Sequence, residues 1–171
     1  LLVPVRESGS LIPQLVIAAF VRRRPVRKWV WVVGSVLQAL AVLAMGFTAW
    51  LIRGFEAGIA VVGAGVVFSL ARGLSSVAAK DVLGKTIPKT RRGRVNGLSA
   101  SVAGLATLGT GFALVAAGAD DGEPATFMVL LSCAAFLWVA AAIVYGQIVE
   151  WPGETGGGGN ALGEAVGKLT L

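Results

Sequence analysis

The chain has 171 residues, of which 56% are hydrophobic and only 14% charged, with a net charge of +6. An ordinary soluble domain carries roughly 25% charged residues, so a mean hydropathy of +0.79 and a pI near 10.3 are not those of a water-soluble basic protein. A nucleic-acid partner is excluded by distribution: the basic residues sit in short connections between apolar runs, not on a soluble basic face.

Five apolar stretches fill residues 1–150, at about 1–21, 29–52, 57–79, 95–117 and 125–149. A bilayer core offers no water to backbone N–H and C=O groups, so segments of this length and composition predict an all-α, polytopic transmembrane helix bundle with the lipid bilayer as partner. The first stretch carries Arg6 and Glu7 in its first third and Pro13 in its middle. Membrane helices tolerate such a proline because neighbours satisfy the freed carbonyl. A basic connection follows, Arg22-Arg23-Arg24-Pro25-Val26-Arg27-Lys28. The second stretch has Trp29 and Trp31 at one margin and Trp50 at the other, as interfacial aromatic belts do, and Gln38 inside it is expected to hydrogen-bond to another helix. The short Arg53-Gly54-Phe55-Glu56 turn makes stretches two and three an antiparallel hairpin.

Stretch three contains Arg72 and leads into a second basic segment, 80–94. Stretch four is dense in small residues, with Gly93, Gly97, Ser101, Gly109 and Ala113 at four-residue intervals broken by Leu105; Gly65, Ser69 and Gly73 repeat that spacing on stretch three. Small residues on one face let membrane helices approach closely, so both sets are read as helix-packing surfaces. An acidic turn at 120–123 precedes stretch five. After Glu150-Trp151-Pro152 the run Gly156 to Gly159 makes 151–171 a flexible linker.

Segments 22–28 and 80–94 hold eleven of the fifteen Lys and Arg residues on one side, whereas the other side has Arg53 and the acidic turn. By the positive-inside rule the basic side is cytoplasmic. The first stretch then runs inward, and the odd count predicts a leading helix before Leu1 and a chain cut from a longer protein.

The segment Pro88-Lys89-Thr90-Arg91-Arg92-Gly93-Arg94-Val95-Asn96-Gly97 resembles the P-x-x-x-R-G-x-x-x-G pattern between helices four and five of major facilitator superfamily transporters. Segment 22–28 falls where that superfamily has its D-R-x-G-R-R loop. Arg24, Arg27 and Lys28 fit it, while Arg23 and Val26 replace the acidic residue and the glycine. Arg72 stands where a membrane-embedded arginine is typical. The resemblance implies helices two to six of a six-helix half, here a fragment of the N-terminal half of a plasma-membrane transporter in a bacterial inner membrane. The missing first helix and the C-terminal half would be its partners, together with a small-molecule substrate moved by alternating access on an ion gradient, most often protons, without a cofactor.

Two readings of the candidate residues stay open. Arg23, Arg24, Arg27 and Lys28 either fix orientation only or form a cytoplasmic gate in which Arg27 pairs with Asp81. Arg6 and Glu7 either reach the outer interface or include a coupling carboxylate, Glu7, with Arg72 as an anion or gating contact. At ~1.5 Å rise per residue Glu7 lies roughly 20 Å and Arg72 roughly 10 Å from the basic end, so a direct Glu7–Arg72 pair is not expected. The run 79–86 loosely fits a nucleotide-binding pattern ending in Gly84-Lys85-Thr86, but it follows a membrane helix and has one glycine, and that chemistry needs a glycine-rich loop after a buried strand. With no histidine and a single cysteine, Cys133, neither an enzyme nor a metal site is expected. A non-transporting membrane scaffold or sensor is the competing class.

Overall fold

The computed structural model describes residues 17–116 and 124–153. Five helices are present in them: α1, described over residues 17–22; α2, Lys28–Leu51; α3, Phe55–Thr86; α4, Lys89–Ala116; and α5, Pro124–Gly146. Helices α2 to α5 are each long and apolar enough to cross a membrane. A 24-residue helix such as α2 spans about 36 Å, against about 30 Å of hydrocarbon. The protein is an integral membrane protein, and the regular structure of its described residues is helical throughout.

Helix α2 is the hub, packed against α3 on one face and α5 on another. Its buried positions Gly34, Ser35, Gln38, Ala39, Ala41, Val42 and Gly46 recur at helical spacing, and all but Gln38 and Val42 are small, which lets two neighbours reach its backbone. A Cβ on Gly34 would overlap Ser75 Oγ and lie 3.0 Å from the Ala71 carbonyl oxygen of α3; one on Gly46 would meet Leu131 of α5 at 3.4 Å. Gln38 makes the expected interhelical bond: its Nε2–H group donates to Ser75 Oγ at 3.1 Å and to Gly34 O at 3.2 Å. On the α5 side Trp31 stacks on Tyr145 with ring centroids 3.9 Å apart, and α5 reaches α3 through an edge-to-face pair, Phe68 and Trp138, at 5.5 Å.

The hairpin between α2 and α3 depends on Gly54, whose φ of 83° is a left-handed conformation that costs other residues energy. Helix α3 continues well past the apolar stretch 57–79. Lys80, Asp81 and Lys85 extend the helix instead of forming a loop, and the break falls at Ile87-Pro88, where proline disfavours helix in the residue before it. The basic segment 80–94 is thus helical on both sides of that break. Arg92 closes the corner, donating through Nε to Ile87 O at 2.9 Å and through a terminal nitrogen to Gly84 O at 2.6 Å. Run 79–86 is ordinary helix, its amides engaged along the axis and not gathered around a phosphate.

Helix α4 stands apart, with no buried residue. A Cβ built at Gly93, Gly97 or Gly109 has no neighbour within 4 Å, and Ser101 is exposed. The described residues therefore supply no close partner for the stripe on α4. Gly109 and Ala113 border an open apolar crevice of about 760 Å³ against α5, also lined by Ala106, Thr110, Val129 and Cys133. Thr107 and Thr110 satisfy their hydroxyls on the carbonyls of Ala103 and Ala106, both at 2.9 Å, so this face carries no unmet polar group from them. On α3 two of the small residues do have neighbours: a Cβ added at Gly65 would lie 3.8 Å from Met45, and one at Gly73 would lie 3.1 Å from Ile17 of α1. Ser69 donates within its own helix to Gly65 O.

Candidate functional site

The chemically dense part of the molecule is the basic end, where α2 begins and α3 and α5 finish. Arg27 precedes α2 and has no side-chain cap of its own, and the first turn of α2 holds no acidic residue. The unpaired amides of that turn need an acceptor, and a negative charge is favoured there by the helix dipole. Glu150, four residues beyond α5, supplies both. Its Oε2 accepts from the N–H of Arg27 at 2.9 Å and of Lys28 at 2.6 Å. Lys28 answers in the other direction, donating from Nζ to Gly146 O at 3.0 Å and Ile148 O at 2.8 Å, so a cation stands on the C-terminal carbonyls of α5. The start of α2 and the end of α5 cap each other.

Helix α3 is tied in by two ion pairs. Arg27 meets Asp81 Oδ2 at 2.8 Å, with the arginine side chain 10% exposed and the aspartate 35%. Lys85, one turn further along the same face of α3, meets Glu150 Oε1 at 2.9 Å, and the glutamate side chain is fully buried. Burial alone would push the Glu150 carboxyl up; the bond from Lys85, the two backbone N–H bonds and the lysine charge outweigh it and hold the carboxyl below its ordinary value of 4.5. The connection itself is pinned by Gly153, whose N–H donates to Pro25 O at 3.0 Å, and by Lys85 reaching the same carbonyl at 3.5 Å.

Arg27, Lys28 and Asp81 therefore come together in one junction. Arg23 and Arg24 do not join it; both are exposed on the outer side of the connection, and Arg24 lies over the Phe20 ring at 5.3 Å. Arg6 and Glu7, like the acidic turn 120–123 and the glycine tail, lie outside the described residues. Arg72 is exposed, one turn from Phe68 toward the junction. With Ser69, Ser76 and Lys80, all exposed, it forms a polar stripe at helical spacing on a face other than the one where Ala71 and Ser75 meet α2. A charge at such depth is costly against lipid and is normally turned to a cavity or a protein neighbour.

Glu150 and Lys85 are the junction residues that sequence reasoning missed. One signal was present: Glu150 is an acid directly after an apolar stretch, on the side dominated by basic residues. Among the described residues no cluster of His, Cys, Asp and Glu gathers that could hold a metal ion. What the junction can do chemically is to lock: three helix ends are held by charge-assisted bonds that break and reform without covalent change. No family model, curated protein or solved structure matches the chain.

Proposed function

We propose that this chain is part of a secondary transporter of the major facilitator type, and that the junction of Arg27, Asp81, Lys85 and Glu150 is a lock at its cytoplasmic end. The single observation carrying this reading is the pairing of Arg27 with Asp81 at 2.8 Å, in a segment that resembles the signature loop of that superfamily. A lock of this kind must be strong when dry and weak when wet, and charge pairs have that property, because their strength rises as water is excluded.

The remaining assignments follow from it. The chain supplies five of six helices of one half, in a bacterial inner membrane with the basic end in the cytoplasm. The bare stripe on α4 and the stripe of Ser69, Arg72, Ser76 and Lys80 on α3 face the parts that complete the transporter, one as a sliding contact and the other toward the solute path. Arg72 contacts an anionic group of the solute or takes part in gating, and Glu7 is the candidate proton-coupling carboxylate. The driving force is an ion gradient.

The test is reconstitution of the full-length protein in proteoliposomes and measurement of uptake over a panel of solutes, with and without a pH gradient. The reading expects gradient-driven uptake of one solute class, weakened by Arg72→Gln, with Glu7→Gln abolishing the pH-gradient dependence. A full-length chain that continues past Leu171 into a soluble signalling domain, with no solute moved, would overturn it in favour of a sensor.

A further inference from the structure

The charges of segment 22–28 divide into two groups. Arg27 and Lys28 are neutralised inward by Asp81, Glu150 and the α5 carbonyls. Arg22, Arg23 and Arg24 are exposed, and among the described residues neither ion pair reaches them. Between the end of α1, the start of α2 and the middle of α3 lies a cavity of about 460 Å³ whose walls include Phe20, Trp29, Val33 and Leu74; of the three cations, Arg24 lines it. Trp29 sits in the first turn of a membrane-spanning helix and is 56% exposed. That is the level at which tryptophan marks the boundary between headgroups and hydrocarbon. Val33 lies about one turn deeper, roughly 6 Å into the apolar layer.

The cavity is thus cationic at the headgroup level and apolar below it. We infer that it binds an anionic phospholipid, with the phosphate on Arg24 and an acyl chain along Trp29, Val33 and Leu74. Charge complementarity selects the headgroup: a zwitterionic lipid would bring its own cation toward Arg24, and among the described residues no carboxylate lines the cavity to receive it. The apolar walls select a lipid over a soluble anion, which would leave them uncovered. Basic pockets between membrane helices are recognised sites for such lipids. The inference requires only that the chain spans a membrane; it holds or fails separately from the transporter reading.

The experiment uses the full-length protein in phosphatidylcholine vesicles doped, at equal mole fraction, with phosphatidylglycerol or phosphatidylcholine brominated near the top of the acyl chain. Bromine quenches tryptophan on contact, and the Trp29 contribution is the difference between wild type and Trp29→Phe. Phosphatidylglycerol is expected to quench Trp29 with a preference on the order of fivefold, as one engaged cation gives. Arg24→Gln should remove most of that preference, and Arg24→Lys should retain it. Should Arg24→Gln fail to fold, raising ionic strength on the wild type must lower the preference. Equal quenching by both lipids, a preference indifferent to Arg24→Gln or to salt, or no quenching by either lipid (a cavity covered by protein) overturns the proposal. So does a preference abolished by millimolar inorganic phosphate at constant ionic strength, which would make the site one for a soluble anion.

Discussion

Helices α2 and α4 have similar lengths and both can cross a bilayer, yet α2 buries seven residues against two neighbours and α4 buries none. The difference lies in complementarity. Gly34 of α2 faces Ser75 with Gln38 beside it, so close approach is joined to a hydrogen bond, and Gly46 receives Leu131. Helix α4 has glycines in plenty but, among the described residues, nothing shaped to meet them. Lipid tails are as apolar as leucine, so membrane helices gain little from apolar surface alone and associate where packing and polar bonds are specific. A row of small residues permits contact; it does not choose a partner.

That contrast can be broken at several points. The largest expected effect is at the junction that anchors α2. Glu150→Ala removes the acceptor of Lys85 and of the Arg27 and Lys28 amides from a fully buried position, and should cost about 3 kcal/mol, read as reversible unfolding of the purified protein in mixed micelles. Next comes Gly34→Ala, whose added methyl must displace the backbone of α3 as well as Ser75; about 2 kcal/mol of overpacking is expected by the same assay. Asp81→Asn, at a pair one-third exposed on the aspartate side, should cost about 1 kcal/mol at most. Gly97→Ala on α4 closes the series with the opposite sign. With no neighbour within reach it should be neutral or stabilise by up to about 1 kcal/mol through helix propensity. A large loss at Gly97 would mean that α4 has a tight partner and that the contrast with α2 belongs only to the residues described.

Acid sharpens the same comparison. Because the folded Glu150 carboxyl is held below its ordinary value of 4.5, its stabilisation is complete above that value and is lost as pH falls from there through the lowered folded value. Wild type should therefore become progressively easier to unfold below about that pH, and Glu150→Gln should lack this component. A wild-type acid profile identical to that of Glu150→Gln would contradict the capping role.

Much of the membrane architecture was legible in the sequence. The last four apolar stretches, the α2–α3 hairpin, the interhelical bond of Gln38 and the pairing of Arg27 with Asp81 all rest on local composition or on charges that must meet at one end of a bundle. Two things were hidden. The extent of α3 was hidden because Lys80, Asp81 and Lys85 look like a loop beside apolar residues, although all three are compatible with helix and only Pro88 is a true stop. Glu150 was hidden because its role depends on α5 returning beside the start of α2, a contact 123 residues apart in sequence. Local patterning says nothing of such closure. The stripe on α4 is the reverse case, a strong local signal for which the described residues contain no close partner.

The central claim is that Arg27 and Asp81 act as one unit in a lock that must open and close. The most direct measurement is a double-mutant cycle on initial transport rates of the full-length protein in proteoliposomes, using Arg27→Gln, Asp81→Asn and both together, with the charge exchange Arg27→Asp plus Asp81→Arg as a rescue. The account predicts that the double variant is little worse than either single one and that the exchanged pair recovers part of the rate. Strictly additive losses with no recovery on exchange would contradict it.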